Sequence, residues 1–239
     1  MTPASRYRPQ ARLRYFREVE NEPCIPFAET ILYQDDELLV ADKPHFLPVT
    51  PGGRYVEECL LNRLRRRTGI AELAPLHRID RETAGIVLFS VNKETRGTYA
   101  RLWSEGGVEK SYQALSFCRS APEGSPWVVE NRIERGEPSF RMEIVPGEIN
   151  ARSVITLMEY KDGIARFLLQ PLTGKTHQLR LHLSSLGFGI CHDRYYPELQ
   201  EESPDNFATP LQLLAQTVRF RDPRSGELRE FVSKRELSG

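Results

Sequence analysis

Apolar residues along this chain arrive mostly in short runs closed off by turn-forming residues, and only a few stretches follow a helical stripe. Residues 31–33 and 37–41 predict two short strands around a turn at Asp35 and Asp36, and residues 86–89, introduced by Gly85, predict a strand buried on both faces. Residues 109–116 alternate in the manner of a half-buried strand, and further strands are predicted over 127–133, 153–159 and 165–170. Helices are predicted over 56–68, where Cys59, Leu60 and Leu64 share one stripe before a stop at Gly69, and over 92–104. A third follows the turn 171–176, with Thr176 as its N-cap, Leu179, Leu183 and Leu186 at core spacing, and Gly187 as its end. Proline and glycine keep 42–53 out of regular structure, 195–210 is a polar insertion, and 211–220 with 227–232 predicts a closing hairpin. Short strands with few helices between them imply an α+β chain built on a mixed, largely antiparallel sheet.

Length and composition change this picture little. A chain of 239 residues has ample room for a core, and 39% hydrophobic with 28% charged residues is an ordinary globular composition. Lysine plus arginine and aspartate plus glutamate both number 33, so net charge alone argues neither for nor against a nucleic acid partner. The distribution is more telling. Arg6, Arg8, Arg12, Arg14 and Arg17 crowd the first residues and Arg63, Arg65, Arg66 and Arg67 form a second cluster, whereas Glu198, Glu201, Glu202 and Asp205 make an acidic stretch. One face can thus be positive on a neutral chain. Residues 1–30 are read as an arginine-rich arm lying on the body or on RNA, and 31–239 as one domain. The cysteines, Cys24, Cys59, Cys118 and Cys191, lie far apart and imply free thiols in a reducing compartment. With no apolar leader and no run of about 18 apolar residues, the expected location is cytoplasmic, away from membranes.

The chemistry gathers at one junction. His77-Arg78-Ile79-Asp80-Arg81-Glu82-Thr83 sets charged and titratable residues directly before the apolar strand 86–89, so a polar loop must be delivered to the edge of a sheet. There Asp80, flanked by Arg78 and Arg81, can be held ionised; by local physics alone the same residues also make a surface salt-bridge cluster. Competing motifs fail. Gly174-Lys175-Thr176 lacks the earlier glycine of a phosphate-binding loop, since that position is Leu169. His77 to Asp80 is one residue too long for a kinase catalytic loop. His177 and His182 are spaced onto different helix faces, so no metal is expected.

Taken together, three motifs resemble the RluA-type pseudouridine synthases. The first runs from His77 to Gly85, with Ala84 where serine is usual. The second is Lys110-Ser111-Tyr112. The third is Thr173 to His182, with Lys175 in the place of an arginine; lysine keeps the charge but loses the forked geometry. Asp42-Lys43-Pro44 upstream and residues 211–215 and 222–227 downstream also fit, with Leu214 where the family has histidine, so the resemblance spans residues 31–232. The small RNA-binding module that many family members carry before the catalytic domain is not recognisable, and the arm stands in its place.

The resemblance implies the pseudouridine synthase fold, flanking helices and a central RNA-binding cleft. It implies an enzyme that isomerises uridine to pseudouridine in structured RNA without a cofactor, ribosomal RNA being the first expected substrate and transfer RNA the second. Asp80 becomes the catalytic carboxylate, as nucleophile or as base on the sugar. Arg180 becomes its salt-bridge partner, and Tyr112 stacks on the base and serves proton transfer. Arg78 fills the vacated stack or holds phosphate, Lys175 and His177 contact substrate, and Ile79 and Leu213 are apolar walls on the uracil. A monomer is expected. The alternative is an RNA-binding or chaperone protein on the same fold; an aspartate set among phosphate-binding arginines repels the ligand and so counts against it.

Overall fold

The computed structural model describes Val19 and residues 21–238. Its elements in chain order are β1 (Thr30–Gln34), β2 (Leu38–Lys43), α1 (Leu60–Thr68), β3 (Ala74–Pro75), β4 (Ala84–Ser90), α2 (Arg96–Ser104), β5 (Val108–Phe117) and β6 (Trp127–Arg135). They continue with β7 (Met142–Val145), β8 (Ala151–Lys161), β9 (Ile164–Pro171), α3 (Gln178–Ser185), β10 (Leu213–Arg221) and β11 (Leu228–Val232). The strands make one sheet in the order β1-β2-β4-β10-β5-β9-β8-β6-β7, with β11 added to β10 and β3 to β4.

Every pairing is antiparallel except that of β4 with β10, where Ala84 faces Leu214 and Gly85 faces Ala215. This central seam depends on a glycine. Gly85 has φ +114°, and a Cβ there would lie 2.2 Å from the Ala215 carbonyl oxygen. The loop that precedes β4 is thereby set beside the start of β10 and, one strand further on, beside β5.

β4 is buried along its whole length, as an apolar run in mid-sheet requires. One face packs Leu39, Val87 and Phe89 against Leu60 and Leu64 of α1; the opposite face packs Ile86 and Leu88 against Tyr99 of α2. A third cluster seats Leu179 and Leu183 of α3 on Ala114, Phe167 and Leu169 of β5 and β9. No helix among the described residues is long and apolar enough to cross a membrane.

Several boundaries differ from those predicted. α1 begins at Leu60 and not at residue 56, because the amides of Val56, Glu57 and Glu58 are tied to the Glu22 carboxylate. α2 begins at Arg96, since Asn92 first turns the chain by accepting from the Glu94 amide. β7 was not predicted; its alternation is confined to four residues. The N-cap of α3 is His177 in the left-handed region, at φ 54°, and not Thr176. The Gln178 side chain braces the turn ahead of the helix, its oxygen accepting from the Lys175 amide and the Thr173 hydroxyl while its amide donates to Arg152 O and Ser153 Oγ.

Of the arm, Arg6, Arg8, Arg12, Arg14 and Arg17 lie outside the described residues. Residues 21–29 lie on the body. Arg63 donates to the Ile25 and Phe27 carbonyls and pairs with Glu58, so this arginine fastens the arm and is not free for phosphate.

Candidate active site

Asp80, Tyr112 and Arg180 come from a loop, a strand and a helix, and the sheet brings them to one cavity. Asp80 lies on the loop that feeds β4, Tyr112 on β5 opposite Ala215, and Arg180 in the first turn of α3. The cavity has a volume of about 320 Å³, and all eight residues singled out from the sequence line it: Asp80, Tyr112, Arg180, Arg78, Ile79, Lys175, His177 and Leu213. Arg78, Lys110 and Lys175 add positive charge along the walls, and Asp80 is the one carboxylate among the lining residues.

The arginines adjacent to Asp80 in sequence are not its partners. Arg78 is exposed, and Arg81 turns away to Asp205, two N–H groups donating to two carboxylate oxygens at 2.8 Å each. The cation that faces Asp80 is Arg180, with Nη1 3.7 Å from Oδ2. Arg180 is itself held elsewhere. Its Nε and Nη2 donate to Asp193 at 2.7 and 2.5 Å, and the rings of Tyr195 and Tyr196 cover the guanidinium at 4.8 and 5.4 Å. Burial alone would lower the Arg180 pKa, but the hydrogen bonds and charge of Asp193, with Asp80 and Glu82 behind them, raise it above the ordinary guanidinium value. A permanent positive charge therefore stands at the floor of the cavity.

Tyr112 forms an apolar wall with Ile79 and Leu213, and burial, reinforced by the charge of Asp80, raises its phenol pKa so that it stays protonated. His177 places Nε2 3.9 Å from Asp80 Oδ2 and Nδ1 2.9 Å from the Tyr196 hydroxyl; burial lowers its pKa, so the ring is neutral near pH 7. His77, though it opens the first motif, is structural. Its Nε2 accepts from the Leu88 amide at 3.1 Å, its ring stacks on Trp103, and burial, then Lys110, pushes it down to about 3.

Two supporting residues had no role assigned from the sequence. Lys43 is wholly buried under the loop, donating to the Pro44, Leu47 and Arg81 carbonyls, and burial holds it down at about 7. Asp193 has no local signature, sitting beyond the end of α3 in a segment that reads as polar filler. A buried arginine requires a buried carboxylate, and that need was the one available signal.

A lone carboxylate facing a fixed guanidinium, an aromatic wall and a basic rim make a cleft suited to acting on one extruded nucleotide of an RNA. Comparison with known proteins agrees. A family model described as RNA pseudouridylate synthase matches residues 37–185. The dual-specificity RNA pseudouridine synthase RluA of Haemophilus influenzae is 31% identical over 225 residues, covering 90% of this chain and 96% of that protein. The RluA of Escherichia coli K12 is 33% identical over 218 residues, covering 88% and 94%. Among solved structures, human RNA pseudouridylate synthase domain containing 1 superposes with a TM-score of 0.72 at 26% identity, covering 90% of this chain and 86% of that one. The chain belongs to the RNA pseudouridylate synthase family, and it is an RNA pseudouridine synthase, an isomerase.

Proposed function

We propose that the enzyme isomerises uridines in folded ribosomal and transfer RNA, with Asp80 as the catalytic carboxylate. The observation that carries this reading is the placement of Asp80 as the sole acidic group lining the cavity, 3.7 Å from a guanidinium that already has a second partner. The bond from C1′ of the ribose to N1 of uracil breaks, the base turns, and C1′ joins C5. The hydrogen on C5 is released as a proton, and N1 gains one, so no oxidant, reductant or water is consumed. Asp80 acts at the ribose, where it stabilises or captures the electron-poor C1′ while the base is loose. Tyr112, Ile79 and Leu213 hold the loose uracil and exclude water that would otherwise trap the sugar.

Arg78 and Lys175, both exposed at the rim, contact the RNA backbone, and residues 31–239 form the catalytic domain, on which residues 21–29 of the arm lie. The description of the RluA relatives as dual-specificity enzymes supports more than one RNA class for this chain. The test is pseudouridine mapping of total RNA from cells with the intact gene, without it, and with Asp80→Ala, read by carbodiimide adduct stops. Sites lost in both altered strains establish the substrate and the role of Asp80. Sites that are lost without the gene but persist with Asp80→Ala refute that role and place the chemistry on another residue of the cavity, and the absence of any site that depends on the gene refutes the assigned substrates.

A further inference from the structure

The segment between α3 and β10 supplies a carboxylate to each of Arg180 and Arg81, the second of which also pairs with its neighbour Glu82. At its start Asp193, 1% exposed in its side chain, takes Nε and Nη2 of Arg180 and is itself fixed by the Tyr195 and Tyr196 amides at 2.8 and 3.2 Å. Near its end Asp205 takes both terminal nitrogens of Arg81 and also accepts from Arg54 and the Tyr55 hydroxyl. Phe207 anchors this end by packing edge-on against Phe46 and Phe27 at 5.1 and 5.5 Å.

The consequence concerns what is left for Asp80. Of the Arg180 nitrogens only Nη1 has no hydrogen-bond partner; it is buried, and it faces Asp80 Oδ2 from just beyond hydrogen-bonding distance. A guanidinium with no other carboxylate closes on the nearest one with two parallel N–H···O bonds, covering both oxygens. An aspartate capped in that way keeps its charge and loses access to the ribose.

We propose that Asp193, with Asp205 in support, is a positioning residue. The two carboxylates occupy the arginines, so that Asp80 has a cation beside it and both of its oxygens open to the nucleotide. This inference rests on the role assigned to Asp80. It also gives the stretch from Asp193 into the 195–210 insertion a task in catalysis, which its sequence does not suggest.

The test is Asp193→Asn in the full-length enzyme, which keeps the shape and removes the charge. Its crystal structure is expected to show Arg180 turned towards Asp80 in a two-pronged contact below about 3.2 Å. Tritium release from ribosomal and transfer RNA transcribed with [5-³H]uridine is expected to show kcat down about a hundredfold with KM within about threefold, because RNA contacts are untouched while the reacting carboxylate is misplaced. Arg180 remaining one-armed with kcat unchanged overturns the proposal, as does a rise in KM alone. If Asp193→Asn does not fold, Glu82→Gln combined with Asp205→Asn, which removes both carboxylates that hold Arg81, asks the same question of that residue: it is expected to swing to Asp80 with the same split, and its staying in place at full kcat overturns the proposal. The crystallographic readout needs no RNA. Wild-type enzyme that releases no tritium from either RNA therefore counts against the assigned substrates, and Arg180 in the crystal still decides the role of Asp193.

Discussion

The ammonium of Lys43, on β2, donates a 3.0 Å hydrogen bond to the carbonyl of Arg81, the residue next to Asp80 on a loop 38 positions away in sequence. The same nitrogen reaches the Pro44 and Leu47 carbonyls, so one buried side chain ties the 44–47 turn to the Asp80 loop from beneath. Lys43→Met leaves all three acceptors buried without a donor. Each unmade bond costs about 1–3 kcal/mol, and a loss near 3 kcal/mol is expected in urea unfolding, with a fall in kcat as the loop loosens. Unchanged stability would show that water replaces the ammonium.

At the β4–β10 seam the sheet tolerates no side chain at position 85. Gly85→Ala puts a methyl 2.2 Å from a backbone oxygen at a positive φ, and the clash cannot be relieved by a rotamer change. The parallel pairing has to open, which costs more than about 3 kcal/mol in combined strain and overpacking. A soluble variant with the wild-type urea midpoint would contradict so close an approach of the two strands.

The residues that meet at the cavity were legible because each sits in a stretch whose order of charges and apolar residues is unusual, and because three such stretches fall in the order expected from the resemblance. Asp80, Tyr112 and Arg180 needed no knowledge of the sheet. Their supports did. Asp193 and Lys43 act through contacts across 13 and 38 positions, and neither spacing leaves a period or a motif in the chain. Helix starts were missed where a side chain from elsewhere takes the amides, as Glu22 does at 56–58, since such capture cannot be seen in local propensity.

The rim cations and Arg63 of α1 should separate in their response to salt. Arg78 and Lys175 are exposed and line the cavity, whereas Arg63 is spent on the Ile25 and Phe27 carbonyls and on Glu58. Each rim residue replaced by alanine is expected to reduce the slope of log K against log salt by about 0.7–0.9, one phosphate contact's worth, in filter binding of ribosomal or transfer RNA. Arg63→Ala is expected to lower stability and to leave the slope alone. Equal slopes for all three variants would place phosphate elsewhere.

His77 makes a pH dependence that can be isolated. Burial, then the charge of Lys110, pushes its pKa down to about 3, against an ordinary value of 6.5. As pH falls below about 6.5 the unfolded chain takes up a proton at this position, and the folded chain does not until about pH 3. Between those limits the unfolded state holds more protons, so stability falls with falling pH, by up to about 1.4 kcal/mol per unit, and above pH 6.5 the contribution is constant. His45 and His182, both pushed down to about 4 chiefly by burial, act in the same direction and are present in both proteins of the comparison. His77→Gln keeps an acceptor for the Leu88 amide, which the native ring nitrogen meets at 3.1 Å, and removes the titration. Urea unfolding at about pH 7 and about pH 4.5 should show the wild type losing more stability than the variant over this interval. A gap between the two proteins that stays constant with pH would mean that His77 takes up its proton in the fold over the same range as in the unfolded chain, and that its ring nitrogen does not hold the Leu88 bond at about pH 4.5.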